Sequence, residues 1–279
     1  MYLTWAKVKS RHLLGYNVYR STKEYTGYEL LNFKPLVISR FADLAVEDSI
    51  TYYYRRATVN IAQMEGELSD YALAIVPIKR FAVKDMYQSP YANPSGIVFD
   101  GHTIWTTDNL RGEIYQHDWN LKVVKVYKSP GEAPTGLAWD GQHIWSCDYK
   151  KRMIYKHGKN MEVIAKFKGP SYNLTDLTWD GKNLWVCNSA GEIFKLTPTG
   201  EKLASYKSPY SLATGIAWDG ENFWVSSIHT RKIYKLDRNF DIADTYESPY
   251  LLSNGLAYDG KYFWSSGKVT EKIYKFGFH

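Results

Sequence analysis

The sequence predicts an all-β fold, and three observations lead to that class. Aromatic residues make up 16% of the 279 residues, with 24 tyrosines and 10 tryptophans, and such side chains favour the pleated surface of a strand. Short apolar runs are separated by turn-forming residues, as in all-β proteins. From Phe81 onward the chain repeats itself about every 40 residues, which is typical of an array of identical supersecondary units.

An Asp-Gly pair marks each copy of the repeat. Every copy carries four strand-like runs, such as TGLAW, HIWSC, MIYKH and VVKVYKS. Asp-Gly joins the first run to the second, as expected for a hairpin turn, because both residues tolerate a positive φ. The five aspartates are therefore interpreted as turn residues and not as catalytic acids. They are Asp100, Asp140, Asp180, Asp219 and Asp259.

The two ends of the repeat region complement each other. The segment FAVKDMYQSP, from Phe81, matches the fourth strand of a copy, whereas the last copy stops after its third strand at EKIYKFGFH. Pairing of residues 81–88 with the strand near Ile273 would complete the last sheet and leave only short edges. An open solenoid would instead leave one orphan strand. We therefore predict a five-bladed β-propeller over residues 81–279, closed by an N-terminal strand that completes the last blade.

The repeat pattern P-x-G-L-A-W-D-G…L-W-V…D…I-Y-K resembles propellers of the streptogramin-lyase-like and glutaminyl-cyclotransferase-like kind. The resemblance covers residues 81–279 and implies an architecture more than an activity, because such blades serve lyases, transferases, glycosidases and plain binders. Cys147 and Cys187 share one repeat position, filled by a small residue in the other copies. They are interpreted as core thiols, since a metal site needs more Cys or His ligands. No metal and no cofactor are expected.

Residues 1–78 lack this repeat. Their strand-like runs are LTW, GYNVYRS, GYELLN, SRFADLAV, ITYYYRRATVN and SDYALAIVP. Trp5, the GYNVYRS run and Tyr52 resemble a fibronectin type III domain, in which a tyrosine at the position of Tyr52 pins a corner of the chain. The resemblance implies a β-sandwich whose first strand is missing. It also puts Arg56 where an apolar residue is usual, so Arg56 needs a partner, or the domain is degenerate.

Charge and hydropathy restrict the partners. The net charge is +6, but the lysines are spread over the strands without the clustered stripe of a nucleic-acid site. The apolar run YALAIVPI is far shorter than a membrane span, and the first residues do not resemble a signal peptide. We expect no nucleic-acid partner and no membrane insertion. Fibronectin-like modules suggest an extracellular or cell-surface location by analogy.

The candidate site lies on the propeller face where two sets of loops meet around the axis, called the mouth here. One set leads into the innermost strands and the other joins the second strand to the third. The first set brings Ser95, Thr135, Thr175, Thr214 and Asn254, and the second brings Asp108, Asp148 and Asn188. The first set is followed by glycine in four copies, but the third copy has Asp176.

Asp176 is the sharpest candidate because it alone breaks this pattern. If its carboxylate met Asp108 and Asp148 near the axis, like charges would raise a pKa or recruit a cation. In the alternative interpretation Asp176 caps a loop amide. The functional hypothesis predicts that Asp176→Gly keeps or raises stability and weakens binding at the mouth.

Aromatic residues would complete the mouth. Tyr91, Tyr210 and Tyr250 follow Ser-Pro pairs in the first set of loops, and Tyr149 and His229 lie in the second. Tyrosine offers a sugar or peptide a flat apolar face and a hydroxyl group.

Common catalytic motifs, such as G-x-S-x-G, H-E-x-x-H and the P-loop, are absent from the sequence. We therefore predict a non-catalytic binding or scaffolding protein that recognises a glycan, peptide or protein partner. The alternative is a propeller lyase, cyclotransferase or glycosidase with acids at the mouth.

Overall fold

The computed structural model describes residues 1–43, 45–46, 50–75, 80–208, 212–249 and 253–278. Every helix or strand within these ranges is a β-strand. The chain divides into two compact units, residues 1–79 and 80–279. In the described ranges, no helix has the length and apolar character that a bilayer crossing requires.

The first unit contains six strands in its described part. They are β1 (Tyr2–Thr4), β2 (Leu13–Ser21), β3 (Glu29–Leu30), β4 (Arg40–Ala42), β5 (Thr51–Asn60) and β6 (Ala72–Ile75). Strands β1 and β4 form one antiparallel sheet, and the second sheet has the order β3-β2-β5-β6. Each strand overlaps a run that the sequence predicted to be extended, although β1 and β2 begin one and two residues before theirs.

The core of the first unit follows the period of two along its strands. Val18, Tyr52 and Tyr54 are buried, and the half-buried Trp5 packs against them. The guanidinium of Arg56 lies 5.7 Å from the centre of the Tyr16 ring. Arg56 is half-buried, and this contact stabilises its charge because an aromatic face attracts a cation.

The second unit contains five four-stranded antiparallel sheets in the described ranges. The first sheet is β8 (Pro94–Phe99), β9 (Ile104–Asp108), β10 (Glu113–His117) and β11 (Val123–Lys128). The second is β12 (Pro134–Trp139), β13 (Ile144–Asp148), β14 (Met153–His157) and β15 (Val163–Lys168). The third is β16 (Leu174–Trp179), β17 (Leu184–Asn188), β18 (Glu192–Leu196) and β19 (Lys202–Lys207). The fourth is β20 (Ala213–Trp218), β21 (Phe223–Ser227), β22 (Lys232–Leu236) and β23 (Ile242–Glu247).

The fifth sheet joins the two ends of this unit. It contains β24 (Ser253–Tyr258), β25 (Phe263–Gly267), β26 (Lys272–Gly277) and β7 (Ala82–Gln88). Ile273 of β26 lies opposite Tyr87 of β7, which confirms the predicted pairing of residues 81–88. The first strands of the five sheets, β8, β12, β16, β20 and β24, each contact the next, and β24 contacts β8.

The aspartate of each Asp-Gly pair accepts hydrogen bonds both within its turn and from a tryptophan. Asp140 Oδ1 accepts the backbone N–H of Gln142 at 2.9 Å and of His143 at 2.7 Å. Its Oδ2 accepts the indole N–H of Trp145 at 2.9 Å, and Gly141 has φ of 93°. The other four aspartates make the same indole bond at 2.7, 2.6, 2.7 and 2.7 Å. The turn interpretation is confirmed, and the indole bond adds a reason for an acid at this position.

Candidate functional site

A cavity of about 340 Å³ opens at the mouth, where the five inner strands begin. It is lined by one residue from the start of each inner strand and by three residues of the loops between second and third strands. The lining residues are Ser95, Asn109, Thr135, Tyr149, Thr175, Thr214, Asn254 and Lys268. The structure therefore brings together all five residues that the sequence placed in the first set of loops.

The hydroxyl groups at the cavity floor link neighbouring inner strands. Three of them donate to a backbone carbonyl of the next inner strand: Ser95 Oγ to Pro134 at 3.1 Å, Thr135 Oγ1 to Leu174 at 2.8 Å, and Thr175 Oγ1 to Ala213 at 2.8 Å. The floor is therefore tied together by direct hydrogen bonds between sheets. Such a preorganised frame loses little conformational entropy when a ligand binds.

Two amide atoms at the cavity lack the hydrogen bonds that burial requires. Asn109 Oδ1 and Asn254 Nδ2 are both buried, and neither has a partner among the described residues. An unsatisfied buried polar group costs about 1–3 kcal/mol, and such groups in folded proteins call for an explanation. One of these atoms is an acceptor and the other a donor, and both belong to residues that line the cavity.

Asp176 lies in the wall of inner strands and does not line the cavity. It is fully buried, and its Oδ2 accepts the backbone N–H of Ile216 and of Leu256, each at 3.0 Å. Burial raises the pKa of the Asp176 carboxyl well above 3.8, although these backbone bonds oppose the rise. The expected position at the centre of the mouth is wrong, because the short side chain turns to backbone donors of two other inner strands.

The acids of the second set of loops also bond to backbone. Asp108 Oδ1 accepts the N–H groups of Leu110 and Arg111 at 2.9 and 3.0 Å. Asp148 accepts the N–H of Ala133 through Oδ2 and of Lys151 through Oδ1, each at 2.6 Å. Both aspartates are 1% exposed. They stabilise their loops, so the expected convergence of Asp108, Asp148 and Asp176 on the axis does not occur.

The remaining candidate residues differ in whether they are buried, line the cavity or lie outside it. Asn188 is buried and accepts the N–H of Glu192 at 2.8 Å, whereas Tyr149 lines the cavity with 38% of its surface exposed. Tyr91 is buried and stacks on Tyr115, with ring centres 4.1 Å apart. His229 is exposed in its loop and is not among the lining residues. Tyr210 and Tyr250 lie outside the described residues.

The sequence interpretation missed Asn109 and Lys268. Both stand directly after the last residue of a second strand, as Tyr149 does. That shared repeat position was the available signal, because identical strands deliver equivalent residues to the same place. Before Asn109 and Tyr149 stand Asp108 and Asp148, whose side chains accept backbone N–H groups of the loops.

The thiols and two buried histidines are not among the described residues that line the cavity. Cys147 and Cys187 are free and buried, and each contacts a threonine of the cavity floor, at 3.3 and 3.2 Å. His117 and His157 bond through Nε2 to Thr106 and Ser146 hydroxyls at 2.7 and 2.8 Å. Burial lowers the pKa of each histidine to about 4. Within the described ranges, no group of three or more His, Cys, Asp or Glu side chains could hold a metal ion.

Comparison with known proteins gives similarity in structure but not in sequence family. No family model matches the sequence, and no curated protein matches it. Glutaminyl cyclase of Myxococcus xanthus is similar in structure, with a TM-score of 0.64, 13% identity, and coverage of 72% of this chain and 97% of that chain. Streptogramin B lyase gives a TM-score of 0.47 at 17% identity, covering 94% of this chain and 98% of the lyase chain.

A chain of the nidogen–laminin complex gives a TM-score of 0.49 at 12% identity, with 91% of this chain and 86% of that chain covered. The likeness to glutaminyl cyclase shows a β-propeller fold, as the repeat predicted. At 13% identity it concerns the fold alone.

Proposed function

We propose that this chain is a non-catalytic binding or scaffolding protein whose propeller recognises a glycan, peptide or protein partner at the mouth. The observation that carries this proposal is a cavity with a hydrogen-bonded floor, the exposed Tyr149, and two buried amide atoms without partners in the described residues. Concave sites with a few convergent polar groups are the usual form of ligand-binding sites.

The lining favours binding over chemistry. Among the described residues it contains no carboxylate, histidine or cysteine, the groups that most often act as acids, bases or nucleophiles. Glycoside hydrolysis would need two carboxyl groups facing each other across about 5–10 Å, whereas Asp108 bonds to backbone N–H groups of its own loop and Asp148 bonds to those of Ala133 and Lys151. A lyase, cyclotransferase or glycosidase is the alternative, and its support is the raised pKa of Asp176, since perturbed carboxyls recur at active sites.

The proposed architecture is a five-bladed propeller, closed by β7, that follows a fibronectin type III-like β-sandwich at residues 1–78. Five four-stranded sheets support the blade number. A two-stranded sheet beside a four-stranded one, with Trp5 and Tyr52 in one core, supports the sandwich. An extracellular or cell-surface location follows by analogy with such modules. Neither nucleic acid nor a membrane interior is a proposed partner.

The test is a screen of the full chain on glycan and peptide arrays, followed by titration of the selected ligand against two variants. Tyr149→Ala removes the exposed ring from the mouth, and we expect it to weaken binding about tenfold, which corresponds to about 1.4 kcal/mol. Trp119→Ala is the matched control, because Trp119 is 48% exposed in the turn after β10, at the opposite end of its sheet. Equal losses in both variants, or none, would refute binding at the mouth.

A further inference from the structure

We infer that the mouth binds an acidic sugar residue, with the carboxylate of the ligand at Lys268 and its hydroxyl groups at Asn109 and Asn254. The inference rests on the proposed binding function and specifies its ligand. Three features of the cavity carry it: the charge of the lining, the pairing of an unused donor with an unused acceptor, and the size.

Lys268 is the only charged side chain among the described lining residues. Its ammonium group makes no ion pair within the described part of the chain, whereas Lys151, in the equivalent loop of another sheet, pairs with Glu132 at 2.9 Å. The neighbouring acids Asp108 and Asp148 bond to backbone N–H groups. The cavity therefore presents one positive charge without an ion-pair partner among the described residues, which favours an anionic ligand.

Asp176 does not cancel this preference. It follows Thr175 of the cavity floor, and its carboxyl is fully buried without lining the cavity. Burial favours the neutral form of a carboxyl group, as the raised pKa of Asp176 indicates. An anion at the mouth is thus not opposed by a full negative charge from the residue next to the floor.

The two amide atoms select for hydroxyl groups. Both amide atoms are shielded from solvent, so each side chain must turn toward the cavity before Asn109 Oδ1 can meet a donor and Asn254 Nδ2 an acceptor. A sugar hydroxyl can donate and accept, and so can satisfy either atom. A fully ionised phosphate or sulfate has acceptors only, which would leave Asn109 Oδ1 unsatisfied. The arrangement therefore fits a ligand that carries both a carboxylate and several hydroxyl groups.

The size and the aromatic wall agree with a sugar. A volume of about 340 Å³ lies at the small end of ligand sites, which suits one or two sugar residues and excludes a folded partner from the cavity itself. Tyr149 supplies a half-exposed ring, and such rings pack on the apolar face of a sugar. A longer glycan would enter by a terminal acidic residue.

The experiment is an NMR titration of the full chain with matched pairs of methyl glycosides: glucuronide against glucoside, and galacturonide against galactoside. We expect at least one acidic sugar to bind about tenfold more tightly than its neutral counterpart. Lys268→Gln should remove that preference, so that the acidic sugar and its neutral counterpart bind within about twofold of each other, because only the carboxylate interaction distinguishes the two. Lys202→Gln, an exposed lysine on β19 away from the cavity, should retain the preference.

Three results would overturn the inference: no acidic sugar binds better than its neutral partner, both lysine variants behave alike, or glucose 6-phosphate binds as well as the glucuronide. None of these refutes binding at the mouth, which is decided separately by the Tyr149→Ala and Trp119→Ala pair. An array-selected peptide that depends on Tyr149 but not on Lys268 would likewise overturn the acidic-sugar assignment while the proposed function stands.

Discussion

Replacing Asp176 by asparagine tests whether the buried carboxyl is neutral within the ring of inner strands. The asparagine oxygen can accept the N–H groups of Ile216 and Leu256 that Asp176 Oδ2 accepts at 3.0 Å each. The amide nitrogen takes the place of Oδ1, which has no hydrogen-bond partner among the described residues. Asparagine is uncharged, as the protonated acid is, so the difference in stability between the variant and the wild type should depend on pH.

The direction in which stability changes with pH depends on how many protons the folded and unfolded states bind. The pKa of this carboxyl is near 3.8 in the unfolded chain and is raised in the folded chain by burial. Between these two values the folded state holds one proton more than the unfolded state, so the free energy of unfolding falls as pH rises. The slope for one proton is about 1.4 kcal/mol per pH unit. Asp176→Asn lacks this contribution, so its stability relative to the wild type should increase by about that amount per unit above pH 4, until the folded pKa is passed.

The assay is urea unfolding from pH 4.5 to 8, followed by tryptophan fluorescence, because every tryptophan except Trp5 lies in residues 80–279. Asp241→Asn, at an exposed turn position, is the control and should follow the wild type. The contributions of His117 and His157 are common to all three proteins and cancel in the differences. Parallel curves for the wild type and Asp176→Asn would refute the buried neutral carboxyl. The structure also reverses the expectation for Asp176→Gly, which should lose about 2–4 kcal/mol because two buried N–H groups lose their acceptor.

Three further predictions concern the frame of the propeller. His157→Leu, which copies Leu196 and Leu236 at the same repeat position, should reduce acid sensitivity. The folded pKa of His157 is lowered from 6.5 to about 4, so the wild type loses up to about 3 kcal/mol of stability as pH falls through this range. If the urea midpoints of both proteins shifted equally between pH 7 and pH 4.5, this prediction would be contradicted. Asp140→Asn should cost about 1–3 kcal/mol in urea unfolding, since an amide N–H would face the Trp145 indole N–H; unchanged stability would mean that only the turn matters, because Asn-Gly turns equally well. Deleting residues 272–279 removes β26 and should abolish cooperative thermal unfolding of the propeller; an unchanged Tm would argue against closure through β7.

The repeated part of the fold could be read from the sequence because each signal is local and recurs five times. The Asp-Gly turns, the four strands of each copy and the complementary ends gave the sheets and the β7–β26 pairing. The indole bonds from Trp145 and its equivalents could not be read, because they depend on how the second strand bends back over the turn. Repetition shows that a residue is structural without showing which contact it makes.

The candidate site was only partly predictable. The ring of Ser95, Thr135 and their equivalents was expected at the mouth and lines the cavity. Asp176 was correctly distinguished from the glycines, but its burial depends on the close approach of neighbouring inner strands: a Cβ on Gly136 would lie 2.4 Å from the Asp176 Cα. Similarly, residue types alone do not show that Asp108 caps its loop while Asn109 reaches the cavity. Both failed predictions concern the direction in which a side chain points at a place where neighbouring strands and loops come close together.

The central claim, that the mouth is a ligand site, is tested most directly by a crystal structure of the full chain with the ligand selected on the arrays. The account predicts ligand density in the cavity, with ligand atoms within hydrogen-bond distance of Asn109 Oδ1 and Asn254 Nδ2. Ligand bound on the outer strands or on residues 1–79, with the cavity free of it, would contradict the account.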